Sequence, residues 1–548
     1  MLIPSAMKRF IVLLPLFLLV LFASAQATVV TQGKSFSKVL KGSTGDLFTV
    51  VCGSFAKDGR HLLYVEEGLT PKVVRLDAQL VPSEELALKD LVIDGIKWTG
   101  VTGIVENGAL RCLLVSNGKK SAEYGIGTVN ANGPLAITGL RKLAAFDLNY
   151  VNDPAFTMVS RPLPDPILFT RGLAYVQKER LIASPDGKRY LLNHFTNEAK
   201  GDKQFHFAVL DKDFTVLSTG SATLPYEDAK SSIHQILFSN EEVVRLLTYV
   251  FQCKSEEQLG DKNCHELHLT TVEDGGKTVS DILVEKNFIS SARFCERGGD
   301  RLAIALRYGS LTGTPGVVLT FDPKDPKLKP TPLATQRLPS IHKAKLMAYG
   351  DPAADPKKTV SRTAKVPNEI VDLAPAWDGG LLVLETFLEN MFQLPMGEAI
   401  AIRHLNGPVR ATYVQANDSI GWQTVVDRAL MTTAGQLYEG CSWTTTDKGP
   451  LVFLGQTPRG FEAIMRAGIE AGTQKGALPA EPQVLRAALL SRTGEVLANG
   501  LVLGMEETFI PSPNVAVFEG DGTRALVKSY DRGNQYRFTV VDLAKLGQ

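Results

Sequence analysis

The chain has 548 residues and a formal net charge of +1, with 21% charged and 44% hydrophobic residues. The near-neutral charge excludes the strongly basic surface of a dedicated nucleic-acid-binding protein, and the hydrophobic fraction excludes a chain that is disordered by composition. This length suits two or three average domains or one large repeat assembly with a sizeable core.

The first 25 residues predict a signal peptide. A basic pair, Lys8 and Arg9, precedes an apolar run at 10–22, and small residues follow it. The run is shorter than the roughly 20 residues that span a bilayer, which favours a cleaved signal over a retained anchor. Cleavage is expected after Ala25 or Ala27. We therefore expect an exported protein, periplasmic or extracellular, with no membrane span after cleavage.

From about residue 43 onward the chain repeats short apolar runs separated by Gly, Asp and Asn turns. The clearest unit is Arg180–Leu210, in which the turn SPDGK separates two runs. Comparable Asp-Gly or Gly-Gly turns occur at 57–60, 297–300, 378–380 and 520–523. Such turns suit tight β-hairpins because glycine tolerates positive φ. Strand, turn, strand, loop, strand is the layout of a propeller blade.

The predicted units begin near residues 43, 95, 174, 229, 286, 367, 421 and 511. We predict an all-β fold, a single β-propeller over 28–548. Seven blades are favoured and eight are the alternative, with a strand near the N-terminus completing the last unit and closing the ring. Two separate antiparallel domains are the other interpretation. Long insertions are expected at about 322–367 and 459–483, with a short helix at 461–474 inside the second.

The SPDGK turn resembles the turns of WD40-like and TolB-type propeller repeats. The order of the runs from about 170 to 548, from LIASPDGKRYLLNHF to the terminal YRFTVVDL, resembles a group of uncharacterised exported bacterial propeller proteins of the Bacteroidetes type. This resemblance implies a propeller fold and export. It implies no activity and no catalytic residue.

Six cysteines are present, which fits an oxidising compartment. Cys253 and Cys264 flank a polar loop between two apolar runs, so a disulfide between them is predicted if those runs pair as a hairpin. The pairing of the other four stays open, and they could be buried thiols. No cysteine or histidine set has zinc-binding spacing. We predict neither a metal site nor a cofactor.

Two histidine-containing stretches are candidate polar sites. His194 and His206 lie on consecutive predicted strands, with Asn197 and Asp202 in the loop between them, and they could form a binding site near a blade tip. In the sequence CHELH at 264–268, alternate residues share one strand face and could hold a metal. Ordinary strand and loop residues are the alternative in both places.

Aromatic and acidic residues near strand ends give the remaining candidates. Trp377, Trp422 and Trp443 could form a sugar-stacking platform or could pack in the core. Glycoside chemistry needs two carboxyl groups at a set separation. The inner-blade candidates for that role are Asp372, Glu385 and Asp427.

The usual signatures of nucleophilic, zinc-peptidase and nucleotide chemistry are missing, and no catalytic residue is predicted. The expected function is that of an exported, non-catalytic β-propeller that binds an unknown protein or glycan and does not bind nucleic acid. The alternative is a hydrolase or lyase acting on glycans or peptides, with carboxylates and histidines at the channel mouth.

Overall fold

The computed structural model describes part of the chain. The described residues are 30–37, 48–55, 61–67, 70–118, 121–146, 180–195, 202–227, 231–251, 265–273, 276–285, 289–298, 301–308, 316–323, 325–333, 368–392, 402–426, 428, 430–432, 441–456, 484–503, 509–519, 523–530 and 535–546. The predicted signal peptide at 1–25, the helix at 461–474 and residues Asn197 and Asp427 lie outside them.

The described residues form eight antiparallel sheets, numbered here in chain order. Two short strands, β1 (Val30–Gln32) and β2 (Phe36–Ser37), come first in the chain and belong to sheet 8. Sheet 1 contains β3 (Phe48–Phe55), β4 (His61–Glu67), β5 (Thr70–Leu76) and β6 (Pro82–Ala87). Sheet 2 contains β7 (Leu91–Ile93), β8 (Ile96–Glu106), β9 (Ala109–Asn117), β10 (Ala122–Val129) and β11 (Ile137–Phe146).

The next three sheets follow the same four-strand pattern. Sheet 3 contains β12 (Leu181–Ala183), β13 (Arg189–Phe195), β14 (Asp202–Asp211) and β15 (Val216–Glu227). Sheet 4 contains β16 (Ser231–Phe238), β17 (Val244–Phe251), β18 (His265–Glu273) and β19 (Lys277–Glu285). Sheet 5 contains β20 (Ile289–Gly298), β21 (Arg301–Tyr308), β22 (Val317–Asp322) and β23 (Asp325–Pro332).

The last three sheets complete the series. Sheet 6 contains β24 (Asn368–Pro375), β25 (Leu381–Phe392), β26 (Ile402–Val414) and β27 (Ile420–Val426), and the short β28 (Leu430–Thr432) follows it in the chain. Sheet 7 contains β29 (Cys441–Thr445), β30 (Pro450–Gln456), β31 (Val484–Leu490) and β32 (Val496–Leu503). Sheet 8 contains β33 (Ile510–Phe518), β34 (Arg524–Tyr530) and β35 (Gln535–Asp542) with β1 and β2.

Eight sheets of four or five strands give the blade number of an eight-bladed β-propeller. The all-β prediction is confirmed, and eight blades, the alternative, replace the favoured seven. The described helices are two 3₁₀ turns, Trp377–Gly379 and Leu543–Lys545. No helix in the described part of the chain is long and apolar enough to cross a membrane.

The chain divides into two compact units, one of residues 1–65, 74–85 and 430–548 and one of residues 66–73 and 86–429. The second unit contains sheets 2 to 6. Its first strands, β12, β16, β20 and β24, contact one another in sequence, and the outer strands β11, β15 and β19 do the same. Each apolar cluster of this unit lies between two consecutive sheets, which is blade-on-blade packing.

The first unit contains sheets 7 and 8 and most of sheet 1. The first strand of sheet 8, β33, contacts both β29 and β3. The predicted role of the N-terminal strand is confirmed, because β1 pairs antiparallel with β35 and completes sheet 8. Phe36 on β2 then stacks on Tyr536 and Phe538, with ring centroids 5.9 and 5.6 Å apart.

The second strands of sheets 5 and 6, β21 and β25, contain long runs of buried and mostly apolar residues. Residues 302–307 of β21 and 381–386 of β25 are all buried. A strand that is covered on both faces cannot alternate apolar and polar residues, which explains these runs.

One turn type joins the third and fourth strands in several sheets. In the turns after Asp77, Asp211 and Ser491 the amide of that residue donates to the carbonyl four residues later, and its side chain accepts the amides two and four residues on. The fourth residue of each turn has positive φ, for example 60° at Phe214. The side-chain acceptor replaces strand partners that the turn cannot supply.

Two predicted boundaries are wrong. The unit predicted to begin near 421 begins with Cys441, because 420–426 is β27, the outer strand of sheet 6. The insertion predicted from 322 contains a strand, Asp325–Pro332, whose prolines suit it because β23 is the edge strand of sheet 5. The remainder of both predicted insertions, 334–367 and 459–483, lies outside the described residues.

The predicted hairpin around the cysteine pair is confirmed. Strand β17 pairs with β18, and Phe251 lies opposite His265. Cys253 and Cys264 themselves lie outside the described residues, so their disulfide stays a prediction. Among the described cysteines, Cys112, Cys295 and Cys441 are buried, and Cys52 is half-buried.

Candidate functional site

Three aromatic rings form a stacked row at one end of sheet 6. The Trp377 and Tyr413 rings have centroids 5.1 Å apart and an interplanar angle of 17°. The Tyr413 and Trp422 rings follow at 5.9 Å and 26°. Both indoles are half-buried, whereas Tyr413 is buried between them. We call Trp377, Tyr413 and Trp422 the aromatic ladder.

Strand register and a turn bring the ladder together. Tyr413 on β26 and Trp422 on β27 are directly paired across the strands. Trp377 lies in the 3₁₀ turn between β24 and β25, and its carbonyl accepts a hydrogen bond of 3.2 Å from the Tyr413 hydroxyl. Each offset stack of this kind is worth about 0.5–1.5 kcal/mol beyond the area it buries.

Two glycines make room for the central ring. A Cβ at Gly380 would lie 2.4 Å from Cε2 of Tyr413, and one at Gly421 would lie 2.8 Å from Cδ1 of the same ring. Both distances are shorter than real Cβ contacts, so the ring can lie flat only over glycine. The turn before Gly380 also depends on its residues, because Asp378 and Gly379 have φ of 56° and 68°.

An arginine of sheet 5 fixes the two turns that carry the ladder. Arg297 Nε donates to the Gly379 carbonyl at 3.1 Å, and its terminal nitrogens donate to the Gln415 carbonyl and to Asp418. The Arg297 and Asp418 side chains are only 2% and 3% exposed. Arg297 thus connects the 377–379 turn with the 415–419 turn.

Asp418 is held by all four strands of sheet 5. Besides Arg297 on β20, Arg301 on β21 contributes an ion pair of 3.1 Å. The Thr320 hydroxyl on β22 donates to the Asp418 carboxylate at 3.2 Å, and the Thr331 hydroxyl on β23 donates to its carbonyl at 2.9 Å. The end of sheet 6 beneath the ladder is therefore rigid before any ligand arrives, which lowers the entropic cost of binding.

The polar groups around the ladder are mostly neutral hydrogen-bonding groups. Gln415, Asn417 and Ser419 are exposed in the turn between Tyr413 and Trp422. Asp378 is exposed beside Trp377. Partial burial and the Asp378 carboxylate raise the pKa of Tyr413, which keeps its hydroxyl protonated as a donor. Aromatic surface beside neutral donors and acceptors suits a hydroxyl-rich ligand.

The surroundings of His194 differ from the open polar site that the sequence predicts. His194 and His206 are directly paired across β13 and β14, as expected. However, His194 is buried, stacks on Phe146 at 5.2 Å and lies 3.0 Å from the Tyr124 hydroxyl through Nδ1. Burial, together with the positive charges of Arg180 and His206, lowers the pKa of His194 to about 3. Its surroundings are aromatic core, so it is not part of an open polar site.

Asp202 and Asn197 are the two residues predicted to lie in the loop beside these histidines. Asp202 begins β14 and is exposed. Asn197 lies outside the described residues. The described part of the chain therefore does not bring the four candidates together as one site.

The Glu266 and His268 pair forms as predicted on one face of β18. His268 Nε2 lies 2.9 Å from Glu266 Oε2, and both side chains are half-buried. The Tyr226 ring meets His268 edge-on at 5.1 Å. No group of three or more His, Cys, Asp or Glu side chains in the described residues could hold a metal ion.

Glu385 is the carboxylate of a buried ion-pair network. Arg410 Nε donates to Glu385 Oε2 at 2.7 Å, and Arg307 Nε donates to Oε1 at 2.5 Å. Glu385 and Arg410 are fully buried, and Arg307 is 5% exposed. Burial lowers the pKa of Arg307, and the Glu385 carboxylate opposes that shift. Both oxygens of this carboxylate accept from buried guanidinium groups, so Glu385 is a structural group of the core.

Asp372 and Trp443 are two further residues that the sequence analysis proposes as candidates. Asp372 is half-buried on β24, and its carboxylate accepts the amide of Leu373 at 2.8 Å. Trp443 is half-buried on β29 in the first unit, whereas Trp377 and Trp422 belong to the second unit.

Tyr413, Arg297 and Asp418 are absent from the sequence-based candidates. The stretch YVQANDSIGW carries the signal for Tyr413, because a turn at 415–419 sets Tyr413 opposite Trp422. Arg297 and Asp418 have no such signal. They are far apart in the sequence and meet only because sheets 5 and 6 pack together.

No protein-family model and no curated protein sequence matches the chain. Solved structures that it is similar to include prolyl oligopeptidase B from Galerina marginata, at 10% identity and a TM-score of 0.37, over 89% of this chain and 55% of that one. The chain thus spans about half the length of that peptidase.

For two further solved structures, the match extends over most of the solved chain. The polysaccharide lyase Uly1 has 10% identity and a TM-score of 0.36, over 94% of this chain and 98% of that one. A protein of unknown function from Bacteroides caccae has 11% identity and a TM-score of 0.24, over 67% and 94%. These values identify no family and no activity, and they give no support to the resemblance to WD40-like and TolB-type repeats.

Proposed function

We propose that this protein is an exported, non-catalytic β-propeller that binds a glycan at the aromatic ladder of sheet 6. The single observation that carries the proposal is the row formed by Trp377, Tyr413 and Trp422, with two half-buried indoles beside a turn of neutral polar residues. Export rests on the sequence of the first 25 residues alone.

The chemistry of the ladder favours a sugar over an apolar ligand. The C–H faces of a sugar ring pack against an indole, while its hydroxyl groups need neutral donors and acceptors at the edge. Gln415, Asn417 and Ser419 offer such groups. The network of Arg297 and Asp418 holds the turns in place, so binding requires little ordering of the protein.

Two of the residues considered for catalysis are committed to the core. Glu385 is fully buried in its ion pairs with Arg307 and Arg410. His194 is neutral in an aromatic core and makes its contact with the Tyr124 hydroxyl. Neither residue can reach a substrate without disrupting the packing around it.

A glycan array tests the proposal. We expect the protein without its signal peptide to bind a set of oligosaccharides, and the variants Trp377→Ala and Trp422→Ala to bind them about five- to tenfold more weakly, since one lost stack is worth about 1 to 1.5 kcal/mol. The conservative variants Trp377→Phe and Trp422→Phe should retain much of the binding because they keep a flat apolar face.

Trp443→Ala is the matched control, a half-buried tryptophan outside the ladder, and it should bind like the wild type. Absence of binding by the wild type, or equal binding by wild type and both alanine variants, would refute a glycan site at the ladder. Analysis of the bound glycans for shortened or unsaturated products distinguishes the hydrolase or lyase alternative, and we expect none.

A further inference from the structure

The charges at the end of sheet 6 are distributed unequally between surface and interior. Asp378 is exposed in the turn that carries Trp377, and within the described residues no cation is paired with it. Arg297, whose guanidinium binds the Gly379 carbonyl of the same turn, is 2% exposed and also binds Asp418 and the Gln415 carbonyl. The turn that carries Trp377 therefore presents a carboxylate at the surface, while the charge of Arg297 lies beneath it.

Arg301 is the second guanidinium of this region. Its side chain is 39% exposed and is bound 3.1 Å from Asp418, the carboxylate that also pairs with Arg297. At the Tyr413 hydroxyl, the effect of the Asp378 carboxylate outweighs that of Arg297. A ligand on Trp377 therefore lies beside the Asp378 carboxylate.

We propose that Asp378 makes the ladder selective for neutral and amino-bearing glycans and against polyanionic ones. This inference rests on the proposed glycan-binding function and narrows its ligand class. A hydroxyl or ammonium group of a sugar can donate to the Asp378 carboxylate, whereas a uronate or sulfate group is repelled by it. The described residues offer no exposed, uncommitted guanidinium at the ladder that would bind such an anion.

The backbone conformation of Asp378 allows its charge to be removed by substitution without a change in the turn. Its φ of 56° lies in the left-handed region, which asparagine tolerates as well as aspartate. Asp378→Asn therefore removes the charge and keeps the turn, the stack on Tyr413 and a hydrogen-bonding side chain. Asp447→Asn is a control, because Asp447 is an exposed turn residue of sheet 7.

The experiment is calorimetric titration with three hexasaccharides, chitin (neutral), chitosan (cationic) and galacturonan (anionic), at low salt and at a mildly acidic pH where the amine is charged. We expect the wild type to bind the chitosan hexamer about three- to fivefold more tightly than the chitin hexamer, as for an exposed ion pair, and to bind the galacturonan hexamer least. Asp378→Asn should remove the preference for chitosan over chitin and strengthen galacturonan binding.

The possible outcomes distinguish a failure of this charge inference from a failure of the proposed glycan-binding function. If chitin or chitosan binds, depends on Trp377, and shows the same order of affinities in wild type and Asp378→Asn, the charge inference is wrong and the glycan site stands. Tightest binding of galacturonan by the wild type would also overturn it. If none of the three binds and the array is negative, the proposed function fails and this inference fails with it.

Discussion

Single buried polar groups decide much of the stability of sheets 5 and 6. Glu385 is the clearest case, because its two oxygens are each bound by a buried guanidinium. A buried ion pair adds little net stability over apolar packing, but removal of one partner leaves an uncompensated charge in a low dielectric. The network is thus a structural element whose loss is costly, whatever the protein binds.

Replacement of this carboxylate provides the first prediction. Glu385→Gln should lower the free energy of unfolding by about 3–5 kcal/mol, because Arg307 and Arg410 then repel each other without their shared anion. Glu84→Gln is the control, since its ion pair with Arg75 has side chains 35% and 16% exposed. That change should cost less than about 1 kcal/mol. Similar losses for the two variants in urea unfolding would contradict the structural role of Glu385.

His194 gives a pH-dependent prediction. Its pKa of about 3 in the folded protein lies below the ordinary value of 6.5, so the unfolded chain binds a proton that the folded protein does not. Stability is therefore unaffected by His194 above about pH 6.5 and falls as the pH drops from there toward about 3, by roughly 1.4 kcal/mol per pH unit. The apparent thermal midpoint should decline accordingly between neutral and mildly acidic pH.

A variant isolates the contribution of this residue. His194→Gln should be less stable at neutral pH, because the contact with the Tyr124 hydroxyl changes, but its midpoint should depend less on pH. Some dependence should remain, since burial also lowers the pKa of His234 to about 4. An unchanged pH dependence in His194→Gln would show that His194 is not buried as a neutral group.

At the scale of elements, turns and close approaches place the aromatic ladder. The 377–379 turn positions Trp377, the 415–419 turn sets the register of Tyr413 and Trp422, and two glycines leave room for the Tyr413 ring. Each of these turns and glycines acts on residues close to it in sequence. Arg297, in contrast, connects both turns to the neighbouring sheet.

The glycines are the most direct test of the ladder as a packed element. Gly380→Ala and Gly421→Ala should each destabilise the protein by about 1–3 kcal/mol and weaken its near-ultraviolet circular dichroism, because the Tyr413 ring must move. Gly500→Ala is the control, since no atom lies within 4 Å of the Cβ it would add. If Gly421→Ala and Gly500→Ala have the same stability and spectrum, the close packing over Gly421 is incorrect.

The repeated apolar runs and Asp-Gly turns predict the all-β architecture because these features are local and periodic. The pairing of His194 with His206 is likewise predictable from hairpin register. The burial of His194 is not, because it depends on Tyr124 and Phe146 in sheet 2. The boundary error near 421 has a similar origin, since a run such as 420–426 does not reveal whether it begins a sheet or ends one.

At the scale of the whole chain, N-terminal and C-terminal segments meet in sheet 8. Val30 pairs with Val541, Gly33 donates its amide to the Phe538 carbonyl at 2.9 Å, and Phe36 stacks on the same sheet. This pairing covers β35, which would otherwise expose an unpaired strand edge.

Removal of this segment gives the corresponding prediction. A protein that starts at residue 38 should be less stable than one that starts at 29 and should aggregate more readily, because β35 loses its partner. Phe36→Ala in the longer protein should account for about 2 kcal/mol of the loss. Equal thermal midpoints and solubility for the two starting points would contradict the role of β1 and β2 in sheet 8.

The central claim is that a glycan binds at the aromatic ladder, and a crystal structure of the protein with the tightest-binding oligosaccharide from the array tests it most directly. We expect a sugar ring in van der Waals contact with Trp377 or Trp422 and a hydroxyl or amine within hydrogen-bond distance of Asp378, Gln415 or Asn417. An oligosaccharide bound at any other sheet, with the ladder unoccupied, would contradict the claim.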